Sequence, residues 1–506
     1  MNRSALRGYT LPGSVVVVLA LVYLIAWLTG PGAPGPAAGD AAARTVPVTA
    51  VTRDCPPPGP GTGQAHIAML AAAPRAGAPR AAAAQATASR AATTLAALPS
   101  AGDSAGNSAA KPGSSGSTAG PASPEALSLL SPPQAGRSPG TEIAATGQMA
   151  PGFAAEQAGA DGTGLVACAH PGSDMWFVGT GTQDGGSATW LYLMNSATVP
   201  ASVEVTVLTD AGVQSAQDNE ITVPAGRYLG VNVSSQASGS MVLAVHVQAS
   251  SGQVAADVWQ GGGSGGAWLP AASSPATQVV VPGVTAAAGA AKLLVAVPGG
   301  QDARLRVTAL TAQGKTQPLG SAPQDAPGDA SSSFSLSSLG ASAAALVISS
   351  NVPVTAGVQV PGSGLGAFTA AAAPVTAQGV AAGNPSGGGD SVGLVLSAPG
   401  AGARVAITGV PSSNPERVVP PPQQTVTVQG GRTKQVAVSP PKGASGPFAI
   451  VVTPLPGSGP LYAARAVISG GTSGTLRALL PVTNAPSQVQ LPPAAASYSA
   501  VLPSAG

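Results

Sequence analysis

Two cysteines, three histidines and a few serines set among glycines are the residues of this 506-residue sequence whose types could carry chemistry. Cys55 and Cys168 are its two thiols. A metal site would need further ligands at close spacing. His170 follows Cys168 by two residues, but no second ligand cluster accompanies it. The stretch GDSAG, Gly102 to Gly106, matches the G-x-S-x-G nucleophile elbow. That motif works only on a strand-turn-helix that holds the serine exposed, and here it lies in a low-complexity run with no flanking strand. GGSGG, Gly262 to Gly266, also matches and reads as an interdomain linker. GSGLG, Gly362 to Gly366, lacks the following helix that turns a glycine loop into a phosphate cradle. His246, inside VLAVHVQAS, reads as a solvent-face residue of a strand, and His66 opens HIAMLAAA, a candidate further strand. The 19 Asp and Glu are thinly spread, and no two form a convincing glycosidase pair. No catalytic residue, cofactor site or metal site is assigned, and the expectation is a protein that is not an enzyme.

Aromatic residues make up only 3% of the chain, yet Trp176, Trp190, Trp259 and Trp268 fall in one stretch. Exposed indole faces stack on sugar rings, so these four are the candidate glycan contacts. The competing reading is that Trp and Phe supply bulk to a core otherwise made of Val and Ala, and it is favoured for at least two of them. In WLYLMN, Tyr192 shares the face of Trp190 while Leu191 and Leu193 take the other. Trp176 and Phe177 begin a strand just after Cys168.

The elements that must position these residues are strands. From about Thr141 short alternating runs are separated by Gly, Pro, Asn and Asp turns, the pattern of antiparallel β-structure. In SVEVTVL, Val203, Val205 and Val207 face one way and Glu204 and Thr206 the other. WLYLMNSATVPASVEVTVLTDAG is echoed about 100 residues later by KLLVAVPGGQDARLRVTALTAQG and again by VGLVLSAPGAGARVAITGV. The period fits a mainly β chain of tandem immunoglobulin-like β-sandwich domains, with a propeller-like β repeat as the alternative. The expected boundaries are sandwiches at 141–262, 263–366 and 367–506. Residues 46–73 should supply N-terminal strands of the first sandwich. Residues 74–140, rich in Ala, Gly, Ser and Pro, are expected to be a disordered insertion.

The N-terminus bears on compartment. Residues 1–10 carry Arg3 and Arg7 and no acid, and residues 11–30 run uncharged through VVVVLALVYLIAWL. About 20 apolar residues span a bilayer as a helix, and the preceding arginines keep the N-terminus in the cytoplasm and set the topology. A stalk at 31–45 follows. The competing reading is a cleaved signal peptide and a secreted chain. Either way the bulk is extracytoplasmic, so a Cys55–Cys168 disulfide is expected in an oxidising setting. The formal net charge is +2, with 21 Lys and Arg scattered along the chain, which excludes a nucleic-acid-binding face.

The anchor, the Cys-Pro segment, GQMAPGFAAEQAGADGTGLVACAHPGSDMWFVG and LYLMN…PASVEVTVLTDAG together resemble an actinobacterial family of membrane-anchored extracytoplasmic proteins known only as a domain of unknown function. Cys168, Trp176-Phe177-Val178-Gly179, the strand end at Asn195 and ITVPAG carry the resemblance, which runs from the anchor to nearly the C-terminus. It implies a cell-envelope setting and no catalytic residues. The expected role is a non-catalytic, membrane-anchored envelope scaffold or adaptor whose partners are the membrane and cell-envelope proteins or glycans. The alternative is an envelope glycan-binding module using the four tryptophans.

Overall fold

The computed structural model describes residues 44–491 except 61–64, 73–91, 103–126, 131–138, 160–163, 183–186, 215–219, 263–264, 286–290, 340–342, 363, 388, 413–422, 443–445 and 471–474. The short strands Arg44–Pro47 and Gln488–Leu491 pair with each other. The rest of the description concerns residues 47–488.

This segment is mainly β, and it builds one sandwich plan four times. In the second copy the seven strands are Asp174–Thr180, Ser187–Asn195, Ala201–Thr209, Arg227–Asn232, Val242–Ser251, Ala255–Gly262 and Gly265–Leu269. The fifth strand pairs with the first and third to make one sheet. The other sheet runs fourth, second, sixth, seventh. The fourth copy has the same two orders, with Phe448–Pro454 as its fifth strand and Ser391–Ala398 as its second. In the third copy the fifth and sixth strands are halves of one 17-residue strand, Ala344–Val360, which passes from one sheet into the other. Each copy encloses an apolar core drawn from both sheets.

The first copy was not expected as a unit. Its strands are Ala50–Cys55, Ala65–Ala71, Ala92–Leu98, Ser128–Leu130, Gly140–Thr146, Phe153–Gly159 and Val166–Ala167, paired in the same two orders. The described residues of 47–72 and 141–167 therefore belong to a sandwich that precedes Asp174. Within the 74–140 run, expected to be disordered, Ala92–Leu98 is a central-length strand paired along its whole length with Gly140–Thr146. Thr93 and Leu95 are buried on one face and Leu98 is buried against the second copy, so three buried positions in a poor sequence suffice. The serine of GDSAG lies outside the described residues.

The strand order corrects the immunoglobulin-like expectation. In that fold the first two strands share a sheet. Here strands one to six change sheets at every step, and of these seven only the sixth and seventh are consecutive strands that share a sheet. The cores lie between facing sheets, which separates the plan from propeller blades. The outer glycines of the GGSGG run belong to the hairpin of these two strands in the second copy, with Gly261 opposite Gly266 and Gly262 opposite Gly265. The run is not an interdomain linker, so the boundary expected at 262 falls inside a sandwich. The boundary expected at 366 likewise cuts Ala367–Ala370 from the copy it completes.

The four sandwiches contact one another in a closed circuit. First and second meet through Leu98, Val166, Tyr192, Met194, Trp259 and Trp268. Leu294, Ala296 and Phe368 of the third copy join the core cluster of the second. Ala466, Leu476 and Leu479 of the fourth join that of the third. The fourth returns to the first through Val380, Ala382 and Ala449 against Ala68, Leu70 and Ala154. Strands are consequently buried on both faces: all seven residues of Phe153–Gly159 and all six of Gly379–Asn384 are buried. That explains the composition. Alanine and glycine let sheet faces approach, and with little solvent-facing sheet there is little room for charge, which stands at 8%.

Candidate functional site

After its seventh strand, each copy folds back onto its own first strand before the chain moves on. In the first copy Ala169 and Asp54 exchange two backbone hydrogen bonds of 2.8 and 2.9 Å. In the second, Ala271 and Ala272 pair with Phe177 and Trp176. In the third, Ala372 N–H donates to Val280 O at 3.0 Å. In the fourth, Thr483 and Asn484 pair with Val380 and Gly379. These four equivalent segments converge on one cavity of about 340 Å³. Its walls are largely apolar, including Val166, Met175, Trp268, Leu269 and Leu480, with Arg53, His170 and Asp174 as charged or titratable members.

Cys168 also lines this cavity, and it is bonded to Cys55, 113 residues earlier. The disulfide expected from the sequence is therefore present, and it reinforces in the first copy the return that the other three make by hydrogen bonding. Both sulfur-bearing residues are buried.

Arg53 is half-buried, and its Nη1 donates a long hydrogen bond, 3.5 Å, to Thr52 O. Burial pushes its pKa down, with neighbouring Asp54 acting in the other direction. Asp54 is fully buried and points toward the second copy, where Ser196 Oγ donates to its Oδ2 at 2.9 Å. Burial pushes the Asp54 pKa up to about 7, the Ser196 hydrogen bond opposes this, and Glu142 adds to it. Asp257 of the second copy is raised well above the usual range by burial and then by Asp54. Asp54 Oδ1 and Asp257 Oδ2 are both buried without a hydrogen-bond partner. Burial thus shifts both carboxyls toward the protonated form at the boundary between first and second copies.

His246 is half-buried rather than on an open strand face. It stacks on Trp176 with ring centroids 3.9 Å apart, and its Nε2 lies 2.8 Å from Asp174 Oδ1. Ser274 Oγ donates to Asp174 Oδ2 at 3.2 Å. The aspartate stands between serine and histidine, whereas nucleophilic catalysis needs the histidine between serine and acid. The cluster orients side chains but does not activate Ser274.

The candidate glycan contacts sort by burial. Trp176, Trp259 and Trp268 are 4%, 2% and 5% exposed. Trp259 meets Trp268 edge-on at 5.2 Å and is hemmed in by Gly59, Gly261 and Gly266. A Cβ on Gly59 would sit 2.7 Å from the indole Cε3. Trp190 is half-buried against the same cluster. Three of the four side chains are therefore almost wholly buried, with Trp268 reaching the cavity wall. Arg3 and Arg7, and the apolar segment 11–30, lie outside the described residues. Among the described residues no helix is long and apolar enough to cross a membrane.

Arg53, Asp54, Asp174 and Asp257 were not singled out by sequence reasoning. The signal for Asp174 and Asp257 was a lone charge in a strand otherwise filled by small or apolar residues, as in AADVW around Asp257, and for Arg53 and Asp54 an adjacent pair of opposite charges in AVTRDC.

A family profile, described as a family of unknown function (DUF5719), matches residues 132–439, more than half of the chain. The chain belongs to the DUF5719 family. The match begins before the fifth strand of the first copy and ends just beyond the fourth strand of the last. It is narrower than the anchor-to-C-terminus resemblance, and it takes in the second and third DUF5719 copies whole. Comparison with curated proteins and with solved structures finds no match.

Proposed function

We propose that this DUF5719 protein is a non-catalytic scaffold of the cell envelope, held in the membrane by residues 11–30 with its four sandwiches outside. The observation that carries the reading is the Cys55–Cys168 bond at the convergence of all four copies. A disulfide in that place suits a chain that matures in an oxidising compartment, and Arg3 and Arg7 ahead of the apolar run supply the orienting charge. The scaffold role is supported by how the polar groups are used. Glu156 and Arg465 pair across two copies, and Asp174 is committed to His246 and Ser274.

The test is protease treatment of intact cells carrying the full chain with a C-terminal epitope. The epitope should be lost without lysis, while an N-terminal epitope stays protected and in the membrane fraction. Changing Arg3 and Arg7 to glutamate should impair or invert this arrangement. An intact C-terminal epitope on unlysed cells, with digestion only after lysis, would overturn the proposal.

A further inference from the structure

The cavity at which the four returning segments meet has a charge pattern that the packing leaves unused. Its volume, about 340 Å³, lies within the range of small-molecule sites. The walls contributed by Met175, Trp268, Leu269 and Leu480 suit an apolar body. Among the described residues Arg53 is the one Lys or Arg side chain in the lining, and its guanidinium carries five donors, of which the long bond to Thr52 O uses one.

The acids nearby are committed elsewhere. Asp174 accepts from His246 and Ser274, and Asp54 faces away toward Ser196 and Asp257. A half-buried guanidinium with free donors beside an apolar wall is complementary to a carboxylate, which it can engage with two parallel hydrogen bonds.

We propose that this cavity binds a small organic carboxylate, with its acid group on Arg53 and its apolar body against Trp268 and Leu480. Binding at this point touches all four copies at once, because each contributes a lining segment. A ligand of this kind stabilises the closed arrangement relative to any state in which the copies separate.

The experiment uses the full chain in lipid nanodiscs and three water-soluble probes: 4-fluorophenylacetate, the matching neutral alcohol and the matching amine. Binding is read by fluorine NMR, with empty nanodiscs as the control. The expected result is saturable, one-to-one binding of the carboxylate. Its affinity should exceed that of the alcohol by roughly tenfold or more, as a charge-assisted pair requires. Arg53→Met should abolish that preference, and Arg53→Lys should keep part of it. Ala372→Phe, which narrows the cavity from the third copy without touching Arg53, should weaken all probes. The thermal transition of each variant establishes that it is folded. Equal binding of the alcohol, a preference that survives Arg53→Met, or no saturable carboxylate binding to folded protein would each overturn the proposal.

Discussion

Arg465 Nη1 lies 2.9 Å from Glu156 Oε2, with both side chains almost wholly buried and 309 residues apart in sequence. The pair joins the last sandwich to the first. Glu156 Oε2 also accepts the Gly383 N–H at 2.8 Å, and Arg465 Nη1 donates to Asn384 Oδ1 at 3.0 Å. The remaining boundary is made of alanine, valine and leucine, so this polar cluster sets its register. Arg465 Nε and Nη2 are buried without partners, which makes the site costly if its one anion is lost.

Removing one partner should therefore do more harm than removing both. Glu156→Gln or Arg465→Met is expected to destabilise by about 3–5 kcal/mol, because each leaves a buried polar group uncompensated. The double replacement Glu156→Leu with Arg465→Met should recover a large part of that loss. Chemical denaturation of the four proteins checks the order. A double variant no better than the worse single one would contradict it.

The disulfide closes a loop of 113 residues, worth about 4–5 kcal/mol in the chain-entropy model before strain is subtracted. Cys55→Ser with Cys168→Ser should lower stability by an amount of that order. A protease site inserted between residues 103 and 126 should yield two fragments that migrate together on a denaturing gel until reductant is added. Separation without reductant would show that the bond does not form in the cell.

Stability should fall as pH rises toward neutrality. In the unfolded chain an aspartate releases its proton near pH 3.9, whereas folded Asp54 keeps its proton up to about pH 7. Between those values the folded state binds more protons than the unfolded state, so stability decreases with increasing pH. Asp257 is shifted in the same direction, by burial and then by Asp54. Arg53 and Ser196 act against the Asp54 shift, and Glu142 acts with it. Asp54→Asn should flatten the dependence and make the protein more stable than wild type at pH 8, measured by urea unfolding at pH 5 and pH 8.

The glycines around Trp259 make a narrow slot. A side chain on Gly261 would meet the indole Nε1 at 2.8 Å, and one on Gly266 would run into the six-membered ring. Gly266→Ala should cost about 1–3 kcal/mol through overpacking and shift tryptophan emission to longer wavelength. Gly226→Ala, where a Cβ meets nothing within 4 Å but φ is +65°, gives the comparison for backbone strain alone.

Some of this was readable from residue patterns. Val203, Val205 and Val207 alternate with Glu204 because that strand keeps part of one face in solvent, and periodicity reports such strands faithfully. The 100-residue echo was readable because LTDAG and LTAQG build the same turn: Thr209 Oγ1 donates to Gly212 O, and Thr311 Oγ1 to Gly314 O. The first copy escaped notice because its strands are interrupted by long low-complexity stretches. The alternation of sheets was hidden because adjacent strands usually pair, so closely spaced strands suggest hairpins. Glu156 and Arg465 sit in FAAEQAG and YAARAVIS. A single charge amid alanines signals a buried partner but does not say which one.

The claim that the four sandwiches stand or fall together is tested most directly by hydrogen exchange measured across a denaturant series. The central strands to follow are Ala65–Ala71, Val242–Ser251, Lys292–Val297 and Ser391–Ala398, one from each copy. Because each copy is covered by two neighbours, all four strands should lose protection at one common denaturant concentration. Glu156→Gln should move that midpoint for all of them equally. Stepwise loss, with the first or fourth copy opening while the second and third stay protected, would contradict a closed and interdependent block.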